Sequence, residues 1–149
     1  MMKNSIFPSF IANLSKGRRC IHLQANCPFF LEELDRAYRK SHYRIPGKYD
    51  FRIGGPAYGV RGVMITAWNP HSQPLSPWKN QHRQHQLLRN LHTAGYPCSR
   101  AYCGMDDWWE ESVLVHDMSM SEAYPIARRW AQYAFVYLDG RRVWLVYMH

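Results

Sequence analysis

Long apolar runs are missing from this sequence of 149 residues. The most apolar stretch, Val143–Met148, falls well below the ~20 residues that cross a bilayer as a helix, so no membrane partner is expected. Cysteine is sparse. Cys20, Cys27, Cys98 and Cys103 are all there is, and neither close pair has a common zinc-ligand spacing. His22, His92 and His116 are available as further ligands, but nothing in their spacing asks for one, so reduced thiols and no metal are expected. A glycine-rich phosphate loop, a nucleophile elbow and a two-histidine metal motif are also absent, and no cofactor is implied. There is no internal repeat, no low-complexity tract and no linker long enough to divide domains.

Acidic residues are outnumbered, 11 against 19 Lys and Arg, for a net charge of +8. Nearly all of the surplus lies in residues 1–62. Such asymmetry suits a basic face that meets a polyanion, and it equally suits a small protein kept soluble by its charge. What the chain has in quantity is aromatic: six Trp, ten Tyr and six Phe, within 46% hydrophobic residues. That composition excludes wholesale disorder. A chain of this length buries roughly 70% of its unfolded surface and needs no cross-link to hold it.

Residues 1–26 show no clean period and are expected to be a poorly ordered or helical extension, with 27–149 forming a single α+β domain. Ile6–Leu14 is interrupted by Pro8 and Asn13 and followed by Lys16, Arg18 and Arg19. That is no place for a small-residue cleavage site, so a cytoplasmic protein is expected. Pro28 opens a helix over 28–40, in which Phe30, Leu31, Leu34, Ala37 and Tyr38 form one apolar stripe. Tyr43–Ile45 and Tyr49–Ile53 form a hairpin around Pro46-Gly47-Lys48. Val60–Trp68 reads as a buried strand ended by Asn69-Pro70.

Ser76-Pro77 caps a helix that runs to Ala94 and stops at Gly95. Tyr96–Cys103 and Trp109–His116 pair around 104–108, and Ser119 with Glu122 forms a capping box for a helix kinked or delayed at Pro125. Ala134–Leu138 and Val143–Met148 close a hairpin at Asp139-Gly140. From residue 60 the order is β-α-β-β-α-β-β after a helix and a hairpin. That order predicts a mainly antiparallel sheet with helices packed on one face, in a split β-α-β arrangement.

Positions 80, 83, 87, 91 and 94 lie on one side of the second helix. Leu87, Leu91 and Ala94 are apolar, but Asn80 and Arg83 continue the stripe at the N-terminal end, where backbone N–H groups are unpaired. The preceding strand brings Thr66, Asn69 and His71 to the same neighbourhood. In one reading Arg83 and the helix N–H groups hold a small anionic, nucleotide-like ligand that Asn69 and Asn80 orient. In another, the same residues brace a scaffold, with or without a protein partner.

Period two in the strand after Asp106-Asp107 sets Trp108, Glu110, Ser112 and Leu114 on one face. Glu110 thus shares a face with a core leucine and needs a partner, for which Arg83 is the obvious candidate. Either the pair is structural or Glu110 is a general acid or base tuned by burial. The acidic run could instead attract Mg²⁺, though no spacing enforces it. Gln132 is accounted for by a helix-end hydrogen bond, and His82 and His85 by solvent.

A separate binding reading rests on Arg39, Lys40, Arg44, Lys48 and Arg52, interleaved with Tyr38, Tyr43, Tyr49, Phe51 and Tyr58. Bases and phosphates of single-stranded nucleic acid suit such a mixture. A hairpin with one solvated basic face and one buried aromatic face would have the same sequence.

The run Ile65-Thr66-Ala67-Trp68-Asn69-Pro70, then Asn80-x-x-Arg83, then Trp108-x-Glu110-x-Ser112, then Gln132 ahead of the final strands resembles the bacterial family called domain of unknown function 3293. The resemblance implies that Asn69, Asn80, Arg83, Glu110, Ser112 and Gln132 belong together. It implies no particular activity.

Overall fold

The computed structural model describes residues 28–148. The expected extension over 1–26, with its basic cluster and Cys20, and likewise Cys27, lies outside the described residues. Helix α1 (Pro28–Lys40) buries Leu34 and Ala37, and its exposed side carries Arg36–Glu33 and Arg39–Asp35 ion pairs. A hairpin follows, β1 (His42–Ile45) and β2 (Tyr49–Phe51). Its turn needs Gly47, whose φ of 73° a side chain would strain.

Strand β3 (Arg61–Ile65) is shorter than the apolar run suggests, because the backbone beyond it bonds to side chains instead of a neighbouring strand. The Ala67 N–H donates to Gln84 Oε1 at 2.9 Å and the Trp68 N–H to Thr66 Oγ1 at 3.1 Å. A 3₁₀ turn over Pro70–Ser72 leads to α2 (Pro77–Thr93), where the Ser76 hydroxyl accepts from the Lys79 N–H. Strands β4 (Cys98–Met105) and β5 (Trp108–His116) pair along their whole length around a turn at Asp106-Asp107. Helix α3 (Met120–Arg129) has the expected capping box from Ser119 and Glu122, with Pro125 inside it. Strands β6 (Ala134–Asp139) and β7 (Val143–Tyr147) finish the sheet.

All seven strands join one sheet in the order β2-β1-β4-β5-β3-β6-β7, and every neighbouring pair is antiparallel. Alternation of direction across that order makes β3 parallel to β4 with β5 between them. It also makes β5 parallel to β6 with β3 between them. Each pair is linked by a helix, so two split β-α-β units interlock, as the order of elements predicts. The protein is α+β.

The sheet has two different faces. Val63, Ile65, Val113 and Val115 pack with Leu87 and Leu91 of α2 and Ala123 and Ala127 of α3. The opposite face gathers Tyr43, Phe51, Met64, Leu114, Val136 and Leu138. The period-two pattern of β5 divides its side chains between these two cores. Glu110 and Ser112 follow Leu114 onto the second face, towards the end of the sheet where α1 lies.

Candidate functional site

Asn69 organises the site. It leaves β3 in the left-handed region with φ 46°, and His71 and Ser72 follow at 51° and 56°. Non-glycine residues in this conformation cost energy, so other interactions must hold them there. The Asn69 side chain supplies several of these. Its Oδ1 accepts from the Leu75 N–H at 3.0 Å and from Asn80 Nδ2 at 2.8 Å, and its Nδ2 donates to Glu110 Oε1. The Asn69 backbone N–H donates to Asn80 Oδ1 at 2.9 Å. A single asparagine thus ties the loop to the start of α2 and to the middle of the sheet.

Glu110 is only 7% exposed. Burial pushes its carboxyl up to about 8, against an opposing effect of the Asn69 hydrogen bond. The uncharged acid is therefore the prevailing form at neutral pH. The same burial pushes up the neighbouring Cys103 thiol and the Tyr38 and Tyr43 phenols, and the Glu110 charge adds to each. Four acidic protons are held in place around one recess.

That recess is a cavity of about 50 Å³ between α1 and the second face of the sheet. Tyr38, Trp68, Asn69, Ser72, Cys103 and Glu110 contribute its polar groups, alongside Ser112 and Gln132. Met64, Phe135, Val136 and Leu145 make the rest of its wall apolar. Ser112 and Gln132 have backbone partners as well: the Ser112 hydroxyl donates to Ile65 O at 2.8 Å, and Gln132 Nε2 donates to Trp68 O at 3.0 Å. The Trp68 indole N–H is different. It is buried and has no hydrogen-bond partner, a condition that protein interiors rarely tolerate.

Arg83 does not pair with Glu110. Its Nε donates to Ala67 O at 2.7 Å and its Nη2 to Trp130 O at 2.8 Å. The guanidinium also lies over the Trp130 ring, 5.2 Å from the centroid, and burial lowers its basicity. It does not line the cavity. The expected stripe is turned by one position: α2 buries Asn80, Gln84, Leu87 and Leu91, and Arg83 sits at the edge. Ala94 is exposed. An amide from Asn69 occupies the place expected for a guanidinium beside Glu110, so the electrostatics are reversed from an ion pair to a neutral acid.

Asn69 and Glu110 therefore meet directly, Asn80 joins them through Asn69, Ser112 and Gln132 share their cavity, and Arg83 stands apart. His71 points elsewhere, against the Tyr133 ring. The basic segment is scattered too. Arg39 pairs with Asp35, Arg44 pairs with Asp50 and covers Trp109, and Arg52 donates to the Lys40 carbonyl. Among the described residues no group of three potential metal ligands occurs, and no described helix is long and apolar enough to cross a membrane.

Tyr38, Tyr43, Trp68 and Cys103 were not expected at the site. In the sequence Tyr38 and Tyr43 belong to the basic-aromatic segment, Trp68 to a buried strand and the family motif, and Cys103 to the reduced thiols. For Cys103 alone there was a signal, since antiparallel pairing of β4 with β5 sets it directly opposite Glu110.

The fold and the cavity define a small α+β protein built around a buried carboxyl, that of Glu110. Residues 65–135 match the family described as Protein of unknown function (DUF3293), the family that the sequence resembles. The matched segment contains Asn69, Asn80, Arg83, Glu110, Ser112 and Gln132, while the α1 wall of the cavity lies outside it. The chain matches no curated protein and no solved structure.

Proposed function

We propose that the protein binds the small uncharged head of a ligand in the cavity beneath α1, with Glu110 in its protonated form supplying the proton-donating contact. The observation that carries this reading is the buried indole N–H of Trp68, which has no hydrogen-bond partner and belongs to a residue that lines the same cavity as Glu110. Two donors in a wall that mixes polar and apolar side chains suit a carbonyl or ring-nitrogen acceptor. A cavity of about 50 Å³ takes a few heavy atoms and not a nucleotide, and its lining includes no Lys or Arg, so an uncharged head fits better than the anion expected from sequence. Glu110 is also the candidate acid or base, since a group that titrates near neutrality can both give and take a proton.

The reading is tested with small carbonyl- and imidazole-bearing fragments, following the Trp68 indole resonance, which the Trp68→Phe variant assigns. The expected result is a fragment that shifts this resonance at about pH 6 and loses affinity above about pH 8.5, where the carboxyl ionises. If no fragment moves the indole signal, or if Glu110→Ala leaves binding unchanged, the cavity is part of the scaffold alone.

A further inference from the structure

Tyr58 is held at φ 52°, a left-handed conformation that is costly for a bulky residue, yet its side chain gains little burial in return, being 62% exposed. Its ring lies nearly parallel to that of Tyr49, 6.1 Å away with an interplanar angle of 17°. Tyr49 in turn stacks on the buried Phe51 at 5.2 Å. The result is an aromatic step that rises from the core into solvent. Beside it a groove of about 360 Å³ opens at the far end of the sheet face that carries Glu110. Lys48, Tyr49, Arg61 and His116 line it. Asp117 is the one carboxylate in that lining. Among the described residues neither Lys48 nor Arg61 makes an ion pair, in contrast to Arg39 on α1 and Arg44 on the hairpin.

We propose that this groove is a second binding site, which takes an aromatic base carrying a phosphate: the base stacks on Tyr58 and the phosphate meets Lys48 and Arg61. The strained, exposed ring of Tyr58, which stacks on the groove residue Tyr49, and the Lys48 and Arg61 residues of the lining supply the two contacts that such a ligand needs, a π-face and positive charge. The site moves the basic-aromatic surface expected from sequence off the hairpin's outer face, where Asp50 and Trp109 already engage Arg44. It is independent of the Glu110 cavity.

The test is fluorescence anisotropy at low salt with a labelled oligothymidylate of roughly ten nucleotides, alongside adenosine monophosphate and a duplex of the same length. Tyr58→Gly removes the ring and relieves the strain, so it is expected to keep or raise the melting temperature while weakening binding of the single strand at least about tenfold. Arg61→Ala is expected to lower the slope of log affinity against log salt by about one. Binding of the strand alone identifies nucleic acid as the source of the base, and competition by the mononucleotide identifies a free nucleotide. Absence of binding by either ligand overturns the proposal. So does equal affinity for the duplex, or an unchanged affinity in a folded Tyr58→Gly protein.

Discussion

Glu110 is the residue on which pH acts. Its carboxyl titrates at about 8 in the folded chain against an ordinary value of 4.5. Below the ordinary value both folded and unfolded states hold the proton, and stability is at its full level. As pH rises from about 4.5 to about 8, the unfolded chain ionises first and stability falls, levelling off once the folded carboxyl also ionises. The loss across this window is on the order of a few kcal/mol. Glu110→Gln retains the shape and the Asn69 contact but never ionises. Its melting temperature is expected to exceed that of the wild type by several degrees at about pH 8.5 and to approach it at about pH 5. Calorimetry at the two pH values checks this, and an equal difference at both would show that the carboxyl carries no burial penalty.

Arg83 illustrates the limit of reading a site residue by residue. A guanidinium on a core-facing helical stripe beside a buried carboxylate invites an ion pair. Two backbone carbonyls, those of Ala67 and Trp130, take it instead. Nothing in the sequence announces these acceptors, because every residue has a carbonyl and only the chain path decides which ones are left unpaired. Asn69 was legible as a member of the site, whereas its position between Leu75, Asn80 and Glu110 depends on a left-handed backbone that composition does not reveal.

At the scale of elements, periodicity performed well where burial is regular. The alternation in β5 placed Glu110, Ser112 and Leu114 on one face, and the antiparallel ladder with β4 confirms the common face. Helix boundaries followed Ser76-Pro77 and the Ser119–Glu122 box. The misjudged element was α2, whose buried side runs through Gln84 instead of Arg83, because the Gln84 carbonyl is needed by the Ala67 N–H where β3 ends. Arg83 accordingly works as a staple that joins α2 to the β3 exit and to the end of α3. Arg83→Ala is expected to cost about 1–3 kcal/mol in denaturant unfolding, since the Ala67 carbonyl loses its donor and the Trp130 carbonyl keeps only Gln132 Nε2. It should leave the fragment response of the Trp68 indole intact in the folded protein. Loss of that response would return Arg83 to the binding site.

The β4–β5 hairpin has a second requirement beside Glu110. A Cβ built at Gly104 would lie 2.0 Å from the Trp108 carbonyl oxygen, a backbone atom with no freedom to swing aside. Gly104→Ala should therefore break the local register next to the Cys103–Glu110 pair, destabilise the protein by about 2–4 kcal/mol and speed alkylation of the half-buried Cys103 thiol. An alanine variant of wild-type stability, with Cys103 alkylated no faster, would contradict the close packing of the two strands here.

For the whole molecule, the two sheet faces divide the labour. One is sealed by α2 and α3 into a continuous core. The other is filled by aromatic and aliphatic side chains in the middle and leaves room at both ends, a small recess under α1 that holds Glu110 and a groove beside Tyr49. The class of fold was legible from the order of elements, since two helices connecting strands in split pairs leave few antiparallel arrangements. The cavity was not, because its walls are ordinary core residues that fail to meet, and a gap has no signature in sequence.

The measurement closest to the central claim is a carbon-13 titration of the Glu110 side-chain carboxyl, assigned with Glu110→Gln. A midpoint of about 8, displaced when a fragment fills the cavity, is the predicted result. A midpoint at the ordinary carboxylate value, unmoved by any fragment, would contradict it.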